Sequence, residues 1–88
     1  MRAFVALPVR FIHKRCPLEI NIIFKIDTGS PISTLTNEAI KKLFENCPRI
    51  EQTFLQMYKV KIAGRQIRIS RSTAYYANVN ILGADFMR

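Results

Sequence analysis

Residues 20–30 read Ile20-Asn21-Ile22-Ile23-Phe24-Lys25-Ile26-Asp27-Thr28-Gly29-Ser30, and this stretch decides how the 88-residue chain is read. Leu18, Ile20, Ile22, Phe24 and Ile26 alternate onto one face, the period of a half-buried strand. Glu19, Asn21 and Lys25 point the other way, and Ile23 among them hints at burial on both sides. The strand runs straight into Asp27. Gly29 permits backbone angles that other residues avoid, so the chain can turn back sharply and leave the carboxylate facing a cleft. Thr28 and Ser30 carry hydroxyls that can fix the loop or the carboxylate by hydrogen bonds. An ordinary strand-to-turn aspartate would look the same, since Asp and Gly are common turn residues. The tripeptide by itself therefore has low specificity.

Upstream, residues 3–12 alternate too, with Val5, Leu7, Val9 and Phe11 on one face. Pro8 removes a ladder donor and places this strand at an edge. His13-Lys14-Arg15-Cys16-Pro17 reads as a turn, which makes the two strands a hairpin. Downstream, Thr36 is an N-cap ahead of Asn37-Glu38, with acid in the first helical turn. Leu35 and Ile40 have the spacing of a hydrophobic staple. Ile40, Leu43 and Phe44 form the apolar stripe, Lys41 and Lys42 face water, and Asn46 and Pro48 end the helix. Tyr58, Val60 and Ile62 alternate with Lys59 and Lys61, turn at Ala63-Gly64-Arg65, and return through Ile67 and Ile69. A final apolar segment runs through residues 79–87. The expectation is a single domain, 1–88, mainly β with one short helix.

Two stretches together resemble the retropepsin-like aspartic proteases, the single-domain family of retroviruses and retrotransposons. The first is Phe24-Lys25-Ile26-Asp27-Thr28-Gly29-Ser30-Pro31-Ile32-Ser33. It is similar to the family's active-site loop, Asp-Thr/Ser-Gly-Ala/Ser after an apolar strand. The second is Ile81-Leu82-Gly83 followed by Ala84-Asp85-Phe86-Met87, similar to the family's signature of Ile-Leu-Gly and a short helix. The hairpin Val60-Lys61-Ile62-Ala63-Gly64-Arg65-Gln66-Ile67 also looks like the family segment before that signature. The resemblance runs from about residue 3 with the motifs in family order.

The resemblance implies a small closed β-barrel-like acid-protease fold and an aspartic-type endopeptidase. Asp27 would be catalytic, and Thr28, Gly29 and Ser30 would support its loop, with Thr28 tying two such loops together. Pro31, Ile32 and Leu82 would be walls of the substrate cleft, although apolar packing accounts for them equally well. Ile81, Leu82, Gly83 and Asp85 would be a structural signature. The chemistry needs two aspartates sharing one proton. The chain has one other aspartate, Asp85, and it belongs to the structural signature. The second catalytic carboxylate would therefore come from Asp27 of a second copy, on the axis of a homodimer. The substrate would be a peptide or polyprotein, with no cofactor and no metal.

Two departures accompany the resemblance. The family covers its cleft with a glycine-rich flap, and residues 46–57 are short for one and hold no glycine. Phe54, Leu55 and Met57 would be a stunted flap or core. The chain also stops at Arg88, where the family continues into a strand that pairs across the dimer. These departures leave an inactive retropepsin-like dimerisation or peptide-binding module as the alternative function.

Composition bounds the remainder. Fourteen Lys+Arg against six Asp+Glu give a formal charge of +8. That balance suits an acidic partner, or serves solubility alone. Lys59, Lys61, Arg65, Arg68 and Arg71 could make a basic face, and Tyr75-Tyr76 could stack on bases. A solvated face and packed tyrosines are the simpler readings, and with no recognised nucleic-acid motif a small basic nucleic-acid-binding domain ranks last. His13 has no matching nucleophile and acid for a triad. Cys16 and Cys47 lack metal-ligand spacing and read as free thiols of a reducing compartment, with a single bridge as the alternative. No segment has the length of a membrane span, and an intracellular, cytoplasmic protein is expected.

Overall fold

Alternation drives the first hairpin. β1 (Phe4–Phe11) and β2 (Ile20–Ile26) pair antiparallel from Phe4↔Lys25 to Val9↔Ile20. Val9, Phe11, Ile22 and Phe24 turn inward and are buried. The computed structural model describes residues 3–12, 18–47, 56–72 and 78–88. The expected turn at residues 13–17, most of the expected flap segment (48–55) and Tyr75-Tyr76 lie outside them.

β3 (Thr34–Leu35) leads into α1 (Asn37–Glu45), then β4 (Met57–Ile62), β5 (Arg65–Arg71), β6 (Asn80–Leu82) and α2 (Ala84–Met87). The strands close into a barrel in the order β1-β2-β6-β3-β5-β4. β6 lies parallel to β2 and antiparallel to β3, so it is inserted between them. β3 also pairs parallel with β5. Closure puts Val9, Phe24, Leu35, Val60, Ile62 and Ile69 in one interior with no exposed surface. The mainly β class and closed barrel hold, and beside α1 the four-residue α2 stands where the resemblance puts a short helix.

α1 follows its sequence signals. The Thr36 side chain accepts from the Ala39 N–H at 3.1 Å, and Asn46 is the C-cap. Ala39, Ile40, Leu43 and Phe44 are buried, with Leu35 beneath them. Phe11, Phe44 and Tyr58 pack as an aromatic trio, with centroids 4.8–6.0 Å apart. β4 and β5 join through Ala63 (φ 49°) and Gly64 (φ 82°), the double positive-φ turn that matches strand twist.

Three expectations are corrected. β1 is not an edge strand, because it also pairs with β4 from Val9↔Ile62 to Phe11↔Val60. Pro8 is tolerated because its carbonyl, which accepts from the Ala63 N–H at 2.9 Å, faces the β4 side just beyond that ladder. Its missing N–H would point to the same side, toward Ala63 in the exposed β4–β5 turn, where water can satisfy the carbonyl left without it. Ile23 is not buried from both sides but 64% exposed on the outer face of the barrel. Cys47 is not a free thiol: it is buried and disulfide-bonded. Spacing along a chain carries no information on the short Cα separation a disulfide requires. The thiol argument for a reducing compartment goes with it. Cys16 lies outside the described residues. Among the described residues no helix is long and apolar enough to cross a membrane.

Candidate active site

The parallel pairing of β2 and β6 brings their C-terminal ends together, and each end carries one of the two motifs. The Asp27 N–H donates to the Leu82 carbonyl at 3.0 Å and extends the ladder by one step. The chain then reverses. The Ser30 N–H donates to the Asp27 carbonyl at 3.1 Å, and the Gly29 N–H donates to Asp27 Oδ1 at 3.1 Å. The carboxylate is thus held by its own turn, in the manner of an Asx-turn. Ser30 Oγ donates to the Ile32 carbonyl at 2.9 Å and closes the next step of the loop. Asp27 is half-buried, while Thr28 and Gly29 are exposed.

The second motif braces the first from beneath. The Ala84 N–H donates to the Ser30 carbonyl at 2.8 Å. Ser33, with no exposed surface, is the hub. Its hydroxyl donates to Asp85 Oδ1 at 2.6 Å and accepts from the Gly83 N–H at 2.9 Å. Its own N–H donates to Asp85 Oδ2 at 3.0 Å. Both Asp85 oxygens are thereby committed to Ser33, and such charge-assisted bonds are the stronger kind. Gly83 is required by close approach. A Cβ there would lie 2.6 Å from the Ile32 carbonyl oxygen and 2.7 Å from that of Ser30.

The structure therefore brings together Asp27, Thr28, Gly29, Ser30, Ile32, Gly83 and Asp85. It separates Leu82 from any open surface, since that side chain is 3% exposed and belongs to the core. Leu82 reaches the loop only through its carbonyl. Ile81 is buried as well, whereas Pro31 and Ile32 are exposed. Asp85 does not approach Asp27 as a second acid, because Ser33 holds it. Sequence reading missed Ser33 as the link between the motifs. It also missed Asn80, which accepts from the Thr36 N–H at 2.8 Å and donates to the Ile23 carbonyl at 3.1 Å. A buried Ser two residues past Pro31 and an Asn in an apolar strand were the available signals.

A cavity of about 300 Å³ opens elsewhere, between β2 and the start of α1, lined by Ile20, Ile22, Thr36, Glu38, Lys42 and Asn80 among others. No residue of the Asp27 loop lines it. Comparison of the chain with family models, with curated proteins and with solved structures gives no match. The site therefore rests on its own geometry. It offers one half-buried carboxylate on a loop fixed at both ends.

Proposed function

We propose that the chain is a retropepsin-like aspartic endopeptidase that acts as a homodimer. The observation that carries this reading is the contrast between the two aspartates. Asp27 presents a carboxylate at the surface of a braced loop, while Asp85 is consumed by Ser33. A second acid for Asp27 must then come from Asp27 of another copy. Two such loops facing each other on a two-fold axis hold two carboxyls that share one proton, because like charges that close cannot both ionise.

The reaction follows from that shared proton. The ionised Asp27 takes a proton from a water held between the two groups, and the water oxygen forms its bond to the peptide carbonyl carbon. The protonated Asp27 donates to the carbonyl oxygen, giving a neutral tetrahedral diol. A carboxyl then protonates the amide nitrogen, the C–N bond breaks, and the second hydroxyl returns its proton to the pair. Exposed Thr28, at the loop tip, would bond the facing loop. Exposed Pro31 and Ile32 would line the cleft formed between copies.

The test is a digest of an unstructured peptide pool across pH with wild type and Asp27→Asn side by side. Cleavage at acidic to neutral pH, abolished in Asp27→Asn and blocked by a peptide mimic carrying a hydroxyl at the scissile position, is expected. Cleavage that survives the substitution would overturn the assignment. Absence of cleavage in both, by a chain that still pairs, would favour a dimerisation or peptide-binding module on the same fold.

A further inference from the structure

The outer face of β1, β4 and β5 carries a cluster that the protease reading does not use. The registers Arg10↔Lys61, Lys61↔Gln66 and Lys59↔Arg68 set these side chains opposite one another across three strands. The Ile12 N–H donates to the Lys59 carbonyl, which adds Ile12 beside Lys59. Two adjacent rows result, Arg10-Lys61-Gln66 and Ile12-Lys59-Arg68. Their inward-facing neighbours Val9, Phe11, Val60, Ile62 and Ile69 are buried, so all six members of the grid point outward.

Four of those six are cations and none is an acid. Directly opposed residues have Cβ atoms about 5 Å apart, and like charges so placed destabilise a sheet. Lys59 and Lys61 are about 6.8 Å apart along their strand. Among the described residues none of the four is ion-paired; the salt bridge found there is Lys42–Glu38 on α1, at 3.9 Å. Extending the β1–β2 register by one residue sets Glu19 beside Arg10 at the margin, and no ion pair forms. The fold thus gathers four cations with a single acid, Glu19, at their edge and no ion pair among them.

We propose that this face binds the phosphate backbone of nucleic acid. Sequence reading ranks that function last because no recognised nucleic-acid motif is present; the strand register adds Arg10 to the expected basic face and sets it beside Lys61, with Lys59 opposite Arg68. Three features favour a phosphate polymer. An acidic peptide would be recruited most directly by strand addition at a free sheet edge. β1 and β4 pair with each other and with β2 and β5, so the centre of the face offers none; among the described residues β5 meets β3 only at Ser70 and Arg71, which leaves residues 65–69 as an edge at its margin. An anionic membrane surface is engaged by cations flanked by insertable apolar side chains. Here the apolar side chains on the face are Ile12, half-buried, and Met57, exposed beside Lys59 at one end, which is too few to form an insertable flank. A polyphosphate supplies a dense, regular row of charges, and the forks of Arg10 and Arg68 suit its oxygens. Contacts of this kind read no sequence. In the barrel order β4 lies across the ring from β6, so the face is remote from the Asp27 loop.

The test uses the full chain and fluorescence anisotropy of labelled 20-nucleotide oligomers of unrelated sequence, titrated from low to high NaCl. Sequence-indifferent binding is expected, with log affinity falling against log salt at a slope of about −3 for four contacts to a single strand. Lys59→Gln/Arg68→Gln should roughly halve that slope, and Lys59→Arg/Lys61→Arg should retain it. Lys41→Gln/Lys42→Gln, which removes the same charge from α1, should bind like wild type, as should Asp27→Asn. Three results would overturn the proposal. One is no binding at 50 mM NaCl. Another is equal loss in the α1 and sheet variants. The third is tighter binding to a polyglutamate peptide or a phosphatidylserine vesicle than to the oligomers.

Discussion

Ser33 and Gly83 are the residues on which the Asp27 loop stands. Ser33→Ala leaves the buried Gly83 N–H without an acceptor and removes a charge-assisted bond to Asp85. The expected cost is about 2–3 kcal/mol, a fall in Tm of roughly 10–20 °C for a domain this small. Ser30→Ala, which deletes only an exposed bond to the Ile32 carbonyl, should cost less than about 1 kcal/mol. Similar losses in the two variants, measured by thermal melts, would contradict the bracing role of Ser33. Gly83→Ala should be at least as damaging as Ser33→Ala, about 3 kcal/mol, because the atoms a Cβ meets are backbone and cannot swing aside. At this scale the sequence showed the chemistry of single positions, Asp27 and Gly29 above all. It did not show that Ser33 would consume Asp85, because that bond joins residues 52 apart in the chain.

Elements were legible where their signals are local. Thr36 as cap, the Leu35–Ile40 staple and the stripe Ile40, Leu43, Phe44 are encoded within one stretch, and α1 follows them. Thr36→Ala should lower stability by about 1 kcal/mol, seen as a Tm drop of roughly 4–8 °C, and a melt unchanged within error would contradict the capping role. The β4–β5 hairpin was equally legible, and its turn holds one residue at odds with its conformation. Ala63 adopts φ 49°, a region that costs an ordinary residue about 1 kcal/mol. Ala63→Asn, giving the Asn-Gly pair such turns favour, should raise Tm. A fall would show that the Ala63 methyl makes packing contacts outweighing its backbone strain. β3 escaped notice because two residues carry no period, and it exists only through its pairing with β5 and β6. The edge assignment of β1 failed for the same reason, since closure against β4 is a long-range event.

For the whole molecule, the closed barrel leaves an acid loop at one end of the β2–β6 pair and a cationic sheet across the ring. The disulfide at Cys47 is the alternative the sequence left open, and the choice turned on a proximity that a linear reading does not show. The central claim is that two copies each supply one Asp27. It is tested most directly by mixing. Wild-type chain is held at constant concentration, in conditions where copies pair and exchange, and Asp27→Asn chain is added in excess while peptide cleavage is followed. Random pairing predicts that a ninefold excess lowers cleavage to about one-tenth of its starting rate, as wild-type copies are drawn into mixed dimers. Cleavage indifferent to the added chain would mean that one copy suffices, and the shared-carboxylate account would be wrong.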